Sequence, residues 1–430
     1  MYIHEHDNWT DFRWDQSQIA LLQDEVCRKL GALYGRLSGL GFDSKLVAMA
    51  ENLTSDVVYS SEIEGVRLNA DEVRSSIARH LGVENVRQHT TSSHYVEAVV
   101  NVMLDALRNY NRPLTSSILC GWQTAFFPMG YSEGVEIEVG KYRSNEEHIV
   151  SGILGRERIH YIAPAPERVE EEMAKFIDWY NSDVHQPAII RSAIAHLWFV
   201  SIHPFEDGNG RLARILSDMM LARGDKSEYR FYNVSSQINK DKNKYYDILE
   251  TTQHGDGDIT KWLVWYLEML NAAIDESECM VSTILNKSFF WQKVASIPMT
   301  ERQTAILNLF LDGYEAKITS KSWSSLGKCS KDTAIRDIQD LVEKRVLRED
   351  IPGAKRPSYS IVYNQDDISV LFGEIAILEE NGTKYLTAIY KGHTPIKERI
   401  LSLDAERYAK GDMSLQSLLN KYCSYFVSIH

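Results

Sequence analysis

Helical spacing of apolar positions dominates this chain, and two-residue alternation appears only in short runs. Residues 1–85 read as helical, with Ser44–Glu64 forming one run and Gly65 falling just past its end. Ala188–Ile202, AIIRSAIAHLWFVSI, is mostly apolar and of helical length. Pro204 ends it, because proline disfavours helix at the residue before it, so His203 falls at a helix–loop boundary. Gly208-Asn209-Gly210 reads as a flexible turn, and helical spacing resumes at Arg211 in RLARILSDMMLAR. Two β-like runs, 148–150 and 158–162, flank a Gly152/Gly155 turn and predict a hairpin. Further on, TERQTAILNLFLDG and SKDTAIRDIQDLVEKRVL read as helices, the second with Ser330 as N-cap. LREDIPGAKRPSYSIV then reads as two strands around Gly353. Residues 363–430 mix a β-like run, Thr383–Tyr390, with helical stretches and receive no fold.

The densest chemistry lies in residues 203–214, HPFEDGNGRLAR. An imidazole has its pKa near operating pH, which suits His203 to act as a general base. Asp207 is a hard oxygen ligand, and Mg²⁺ takes one or two carboxylates with phosphates and waters. Glycines at 208 and 210 let the backbone approach an anion. They feed a helix N-terminus, whose free N–H groups and dipole attract phosphate. Arg211 and Arg214 are three apart, so they share a face of the first turn and offer guanidinium forks to phosphate oxygens. Any one of these residues alone fits a plain helix–loop–helix junction. Together they form the kit that holds a metal-bound polyphosphate and deprotonates an attacking hydroxyl.

The run matches HPFx(D/E)GNGRxxR at every defined position and resembles the Fic family. That resemblance implies a mainly α fold: a helical core with a β-hairpin flap, here with a helical N-terminal domain and a C-terminal winged helix. It implies Mg²⁺-dependent transfer of AMP from ATP to a Ser, Thr or Tyr hydroxyl of a target protein, self-modification included. His203 is then the catalytic base and Asp207 the Mg²⁺ ligand. Gly208, Asn209, Gly210, Arg211, Leu212, Ala213 and Arg214 form the ATP phosphate site. GKYR at 140–143 and HIVSGILGRERIHYIAPAPERV resemble the family flap, which pairs with an extended piece of the target; Ile159, His160 and Tyr161 are its residues here. A plain surface hairpin fits the same pattern. Tyr245–Gln253 resembles the helix lining the adenine pocket, with Tyr245, Tyr246 and Gln253 as contacts. Tyrosine faces can stack on a base, and core packing accounts for the two tyrosines nearly as well.

Upstream, SSEIEG at 60–65 resembles the family's inhibitory pattern through Ser60, Glu64 and Gly65. By that resemblance Glu64 pairs with Arg214 and takes the place of the γ-phosphate, so ATP binds weakly or in an unproductive pose. In some relatives this glutamate also positions water for removing AMP. Relatives often dimerise, but no dimer seam is legible here. Donor choice among ATP, UTP and GTP depends on details outside the motif.

The domain expectation is an N-terminal helical domain over 1–85, a catalytic core over 86–275, a winged helix over 299–362 and an unassigned region over 363–430. The 430 residues, 44% hydrophobic, suffice for several cores. A net charge of −13 excludes a generic binder of nucleic acid or anionic membrane. Residues 299–362 differ, with 11 Lys+Arg against 9 Asp+Glu. Lys328, Lys331, Arg336, Lys355 and Arg356 suit DNA phosphates, whereas Asp332, Asp337 and Asp340 would repel them. A second reading therefore stands: a winged-helix DNA-binding regulator whose Fic-like core senses nucleotide. Intact His203 favours the enzyme, since sensing needs no base. Five scattered cysteines without a CxxC pair point away from zinc or a disulfide framework and fit a cytoplasmic protein. The N-terminus is polar and acidic, unlike a signal peptide, and no apolar run reaches the ~18 residues of a membrane span.

Overall fold

A computed structural model describes residues 1–38, 42–83, 91–132, 134–152, 158–182, 185–314, 316–351, 353–362, 372–380, 382–390, 394–410, 412–413, 415, 418–419 and 421–422. It is mainly α and forms two compact units, Met1–Ser277 and Glu278–His430. The N-terminal helices and the 86–275 stretch therefore share one unit.

The first unit opens with α1 (Gln16–Ser38), α2 (Phe42–Ile63), α3 (Ala70–Leu81), α4 (His94–Arg108) and α5 (Ser116–Phe126). Two small hairpins follow: β1 (Tyr131–Ser132) with β2 (Val135–Glu136), and β3 (His148–Ser151) with β4 (Arg158–Ile162). Then come α6 (Pro166–Asn181), α7 (Ala188–Ile202), α8 (Asn209–Asp225), α9 (Val234–Lys240), α10 (Lys242–Gln253) and α11 (Thr260–Lys293), whose residues from Glu278 onward belong to the second unit. Side-chain oxygens of Asn69, Ser93, Thr115 and Asn233 cap α3, α4, α5 and α9, as the free amides of a helix start require.

Because α7 is apolar all round, it lies at the centre of the unit. Several of its buried polar groups are matched, although Trp198 Nε1 has no hydrogen-bond partner among the described residues. Ser192 Oγ donates to Ser217 O at 2.9 Å, and Ala193 O accepts from Trp262 Nε1 at 2.8 Å. His196 is fully buried between Ser217 and Tyr245. This rigid helix fixes where His203 emerges.

In the second unit, α12 (Glu301–Leu311), α13 (Ser320–Leu326) and α14 (Lys331–Glu343) precede an antiparallel pair, β5 (Leu347–Glu349) and β6 (Tyr359–Ile361). Ser330 caps α14 as expected, and Gly353 between the strands has φ +74°. Phe290, Ile306, Leu307, Trp323, Ile338 and Leu341 build the core of this part. A three-stranded antiparallel sheet follows, β7 (Phe372–Glu380), β8 (Thr383–Tyr390) and β9 (Thr394–Ile400), then α15 (Ser402–Ala409). β8 coincides with the β-like run read from sequence; β7 and β9 were not anticipated. No described helix is long and apolar enough to cross a membrane.

Candidate active site

His203 ends α7 in a left-handed conformation, φ 51° and ψ 60°. A non-glycine residue adopts this region only when its surroundings impose it. Arg143 does so. Its Nε donates to His203 O at 2.7 Å, its Nη2 to Pro164 O at 2.6 Å and its Nη1 to Asn145 O at 2.8 Å. Its amide donates to Pro204 O at 2.9 Å. The His203 ring faces Val200 O through Nδ1 at 3.2 Å. A carbonyl only accepts, so Nδ1 carries the proton and Nε2 keeps its lone pair. Burial drives this imidazole from 6.5 down to about 4, so it is neutral at pH 7.

The loop to α8 is short and internally tied. Asn209 Oδ1 accepts from the Phe205 amide at 3.0 Å, and its Nδ2 donates to Phe205 O at 2.6 Å. Asn209 thus holds the loop and is itself buried. Helix α8 starts at Asn209, not at Arg211; only Gly208, with φ +92°, is outside it. The Leu212 amide already serves Gly208 O, and the Gly208 amide serves Asp207 Oδ1. The amides of Asn209, Gly210 and Arg211 are left without an intrahelical carbonyl, which is the anion-binding face of a helix start. The side chains of Leu212 and Ala213 are core.

The two arginines diverge, contrary to the shared face that their spacing suggested. Arg211 turns to α4 and α5: it donates to Tyr95 Oη at 2.6 Å and lies 4.8 Å from the ring centroids of both Phe126 and Phe127. Arg214 turns to α2. Its Nε donates to Ser60 Oγ at 2.9 Å, and its Nη2 to Ser60 O at 2.8 Å and Glu64 Oε1 at 2.6 Å. The arginine is 1% exposed and the glutamate 29%. Arg214 Nη1 has no hydrogen-bond partner among the described residues. Glu64 also presses on the anion turn, since a Cβ at Gly210 would meet its Oε1 at 2.2 Å. Gly65, φ +82°, ends α2 in the left-handed cap conformation.

Asp207 is half-buried, accepts from Ser132 Oγ and lies 3.8 Å from Arg211 Nη2. Among the described residues no group of three His, Cys, Asp or Glu side chains stands ready to hold a metal by itself. One carboxylate at a phosphate-binding turn is nevertheless the donor set of a Mg²⁺ held mainly by phosphates, and Asp207 fits that role.

Residues 113–221 match the Fic/DOC family. This chain carries a Fic/DOC domain. Residues 2–83 match a domain of unknown function, DUF4172. Over 124 residues the chain is 35% identical to a protein adenylyltransferase Fic from Nematostella vectensis, covering 28% of this chain and 25% of that protein. A protein of the same name from Culex quinquefasciatus is 25% identical over 213 residues, 49% of this chain and 39% of that protein. The chain thus spans well under half the length of these curated relatives. A crystal structure of a Fic family protein from Desulfovibrio desulfuricans G20 overlaps 81% of this chain and 97% of its own, with 18% identity and a TM-score of 0.47.

Around the Fic motif, the flap residues divide. Ile159 is 46% exposed, whereas Tyr161 is fully buried and donates to Ser201 O at 2.8 Å. His160 bonds Ser151 Oγ and, through Nδ1, Glu250 Oε2 at 2.6 Å, while Arg158 reaches Glu250 Oε1 at 2.6 Å. A bulge separates Ile149 from Val150, and Gly155 of the expected turn lies outside the described residues. Tyr245 is core: its hydroxyl meets His196 Nε2 at 2.9 Å and its ring stacks toward Trp265. Gln253 is buried, with Nε2 donating to Ser201 Oγ of α7 at 3.2 Å. Of these three, only Tyr246, 46% exposed, presents a face to solvent. Arg143 is the positioning residue that the sequence reading passed over; GKYR was noted only as part of the flap.

Proposed function

We propose that this chain transfers AMP from ATP, with Mg²⁺, to a Ser, Thr or Tyr hydroxyl of a target protein and of itself, and that Glu64 represses it. One observation carries the reading. A neutral imidazole with a free Nε2 lone pair stands at one end of a short tied loop, and a helix start with unpaired amides stands at the other. The adenylyltransferase relatives point the same way.

In this mechanism Nε2 of His203 takes the hydroxyl proton as the oxygen attacks the α-phosphorus. The bond from that phosphorus to the β-phosphate oxygen breaks, and pyrophosphate leaves. The Asn209, Gly210 and Arg211 amides and the Arg214 guanidinium hold the phosphate oxygens, which places charge stabilisation where the transition state needs it. Mg²⁺, held by Asp207 and the phosphates, would supply further charge neutralisation. Arg143 keeps His203 in its left-handed pose.

Repression follows from competition: while Glu64 occupies Arg214 and covers Gly210, the terminal phosphate finds neither. For hydrolytic removal of AMP, a water held by Glu64 would attack the same phosphorus, the bond to the side-chain oxygen would break, and AMP and the free hydroxyl would leave, with water supplying the oxygen and protons. The test is intact mass after incubation with ATP and Mg²⁺. Glu64→Gly should gain one AMP, and Glu64→Gly/His203→Ala none; an unmodified Glu64→Gly protein would refute the reading.

The second unit supports an additional role. Asp337 was counted against DNA binding, yet it is buried and tied to Arg302 at 2.7 Å and Trp323 Nε1 at 3.1 Å. Asp340 is paired with Lys344 at 2.7 Å. The exposed positions of α14 are Lys331, Asp332, Ile335, Arg336, Gln339 and Glu343. We propose that residues 299–362 are a winged helix that reads DNA with α14. A labelled-duplex shift that is lost in high salt supports this; no shift at low salt refutes it.

A further inference from the structure

The end of α2 is closed by groups from α9 and α10 that the transfer chemistry does not require. A helix leaves its last four carbonyls without intrahelical partners. Here each is met. Ser60 O accepts from Arg214 Nη2 at 2.8 Å, and Ser61 O from the Val66 amide at 3.0 Å. Glu62 O accepts from the Gly65 amide at 3.1 Å and from Lys242 Nζ at 2.6 Å. Ile63 O receives the Tyr246 hydroxyl at a long 3.4 Å, and Asn239 Nδ2 reaches the Glu62 carboxylate at 3.2 Å.

Lys242 stands out. Among the described residues it makes no ion pair; its ammonium is spent on one backbone carbonyl two residues before Glu64. There it meets the negative end of the α2 dipole, where a cation is favourable. Tyr246 follows one turn later on the same face of α10. Glu64 itself lies in the turn beyond α2, where its amide donates to Ser61 O at 3.1 Å and Gly65 caps the helix. A charged bond at Glu62 O therefore narrows the positions from which Glu64 can reach Arg214.

We propose that Lys242 is a positioning residue of the inhibitory contact: it clamps the turn after α2 and keeps Glu64 on Arg214 and over Gly210. The proposal rests on the autoinhibited reading above. It is tested by measuring AMP incorporation from α-labelled ATP into native protein, Lys242→Ala, Lys242→Arg, Glu64→Gly and the Lys242→Ala/Glu64→Gly pair, with thermal melting in parallel. Lys242→Ala should raise incorporation about tenfold, which corresponds to about 1.4 kcal/mol of lost Glu64 engagement. Lys242→Arg should stay near the native level, and Lys242→Ala should add nothing once Glu64 is gone. A merely structural role would instead change melting and act equally in both backgrounds. If Lys242→Ala stays at the native level while Glu64→Gly is released, the clamp is wrong and autoinhibition stands. An equal factor in both backgrounds also overturns the clamp. If Glu64→Gly itself is not released, both ideas fall.

Discussion

Removing the Glu64 carboxylate should have two opposite effects of the same origin. In Glu64→Ala, Arg214 loses the 2.6 Å bond to Glu64 but keeps Ser60 O and Ser60 Oγ at 2.8 and 2.9 Å. The loss is therefore at least that of one charged hydrogen bond, about 1.5–3 kcal/mol, because the neutral Ser60 acceptors alone then face the buried guanidinium. Without ligand, the variant should melt several degrees lower, at about 2–4 °C per kcal/mol for a unit of this size. The same free energy opposes ATP in the native protein, because the terminal phosphate must displace Glu64. Its removal should tighten ATP·Mg²⁺ binding by about 10- to 100-fold. Saturating ATP should then restore the lost stability, since a ligand at 100 times its Kd contributes about 2.7 kcal/mol. Isothermal titration with ATP·Mg²⁺, using the Glu64→Ala/His203→Ala protein to prevent turnover, gives the affinity, and calorimetric melting gives the stability. Equal ATP affinity in proteins with and without Glu64 would refute the competition, whatever the melting curves show.

Further outcomes follow from the same geometry. Burial holds His203 at about 4 and His196 at about 3, below the ordinary 6.5. A buried neutral histidine is a cost once the unfolded chain can bind a proton, so both should weaken folding as pH falls from about 6.5 toward 4. Glu147, raised to about 7 by burial, acts in the opposite direction between about 7 and 4.5. Transfer by Glu64→Gly should accordingly persist below pH 6, with its acid limb nearer 4; a limb at 6.5 in the kcat profile would contradict the buried, neutral base. Ile159→Pro on the exposed edge of β4 should reduce modification of a target protein while leaving ATP binding unchanged by titration. Asp337→Ala should strand the buried Trp323 indole N–H, costing about 1–3 kcal/mol in the melting of the second unit.

How much was legible in the chain depended on how local the signal was. His203, Asp207 and Gly208 lie within one contiguous motif, and the helix that ends at Ile202 follows from composition and Pro204 alone. Glu64 was found through a second short motif, and the structure pairs it with Arg214. Spacing failed for Arg211 and Arg214, because a long side chain goes where its neighbours accept it. Aromatic rings and Tyr95 drew one toward α4 and α5, and Ser60 drew the other toward α2. Asn209 was read as a phosphate contact; its amide lies at the helix start, and its side chain ties the loop to Phe205. Arg143, Lys242 and the inward turn of Asp337 rest on contacts between residues far apart in the chain, which no local pattern reports.

The central claim is that His203 activates a hydroxyl for attack on the α-phosphorus of ATP. Glu64→Gly protein incubated with Mg²⁺ and ATP labelled at either the α- or the γ-phosphate tests it in one gel. The account predicts protein-bound label from α-labelled ATP only, and none from either when His203→Ala is added. Retention of the γ-label, or α-label that survives His203→Ala, would contradict it.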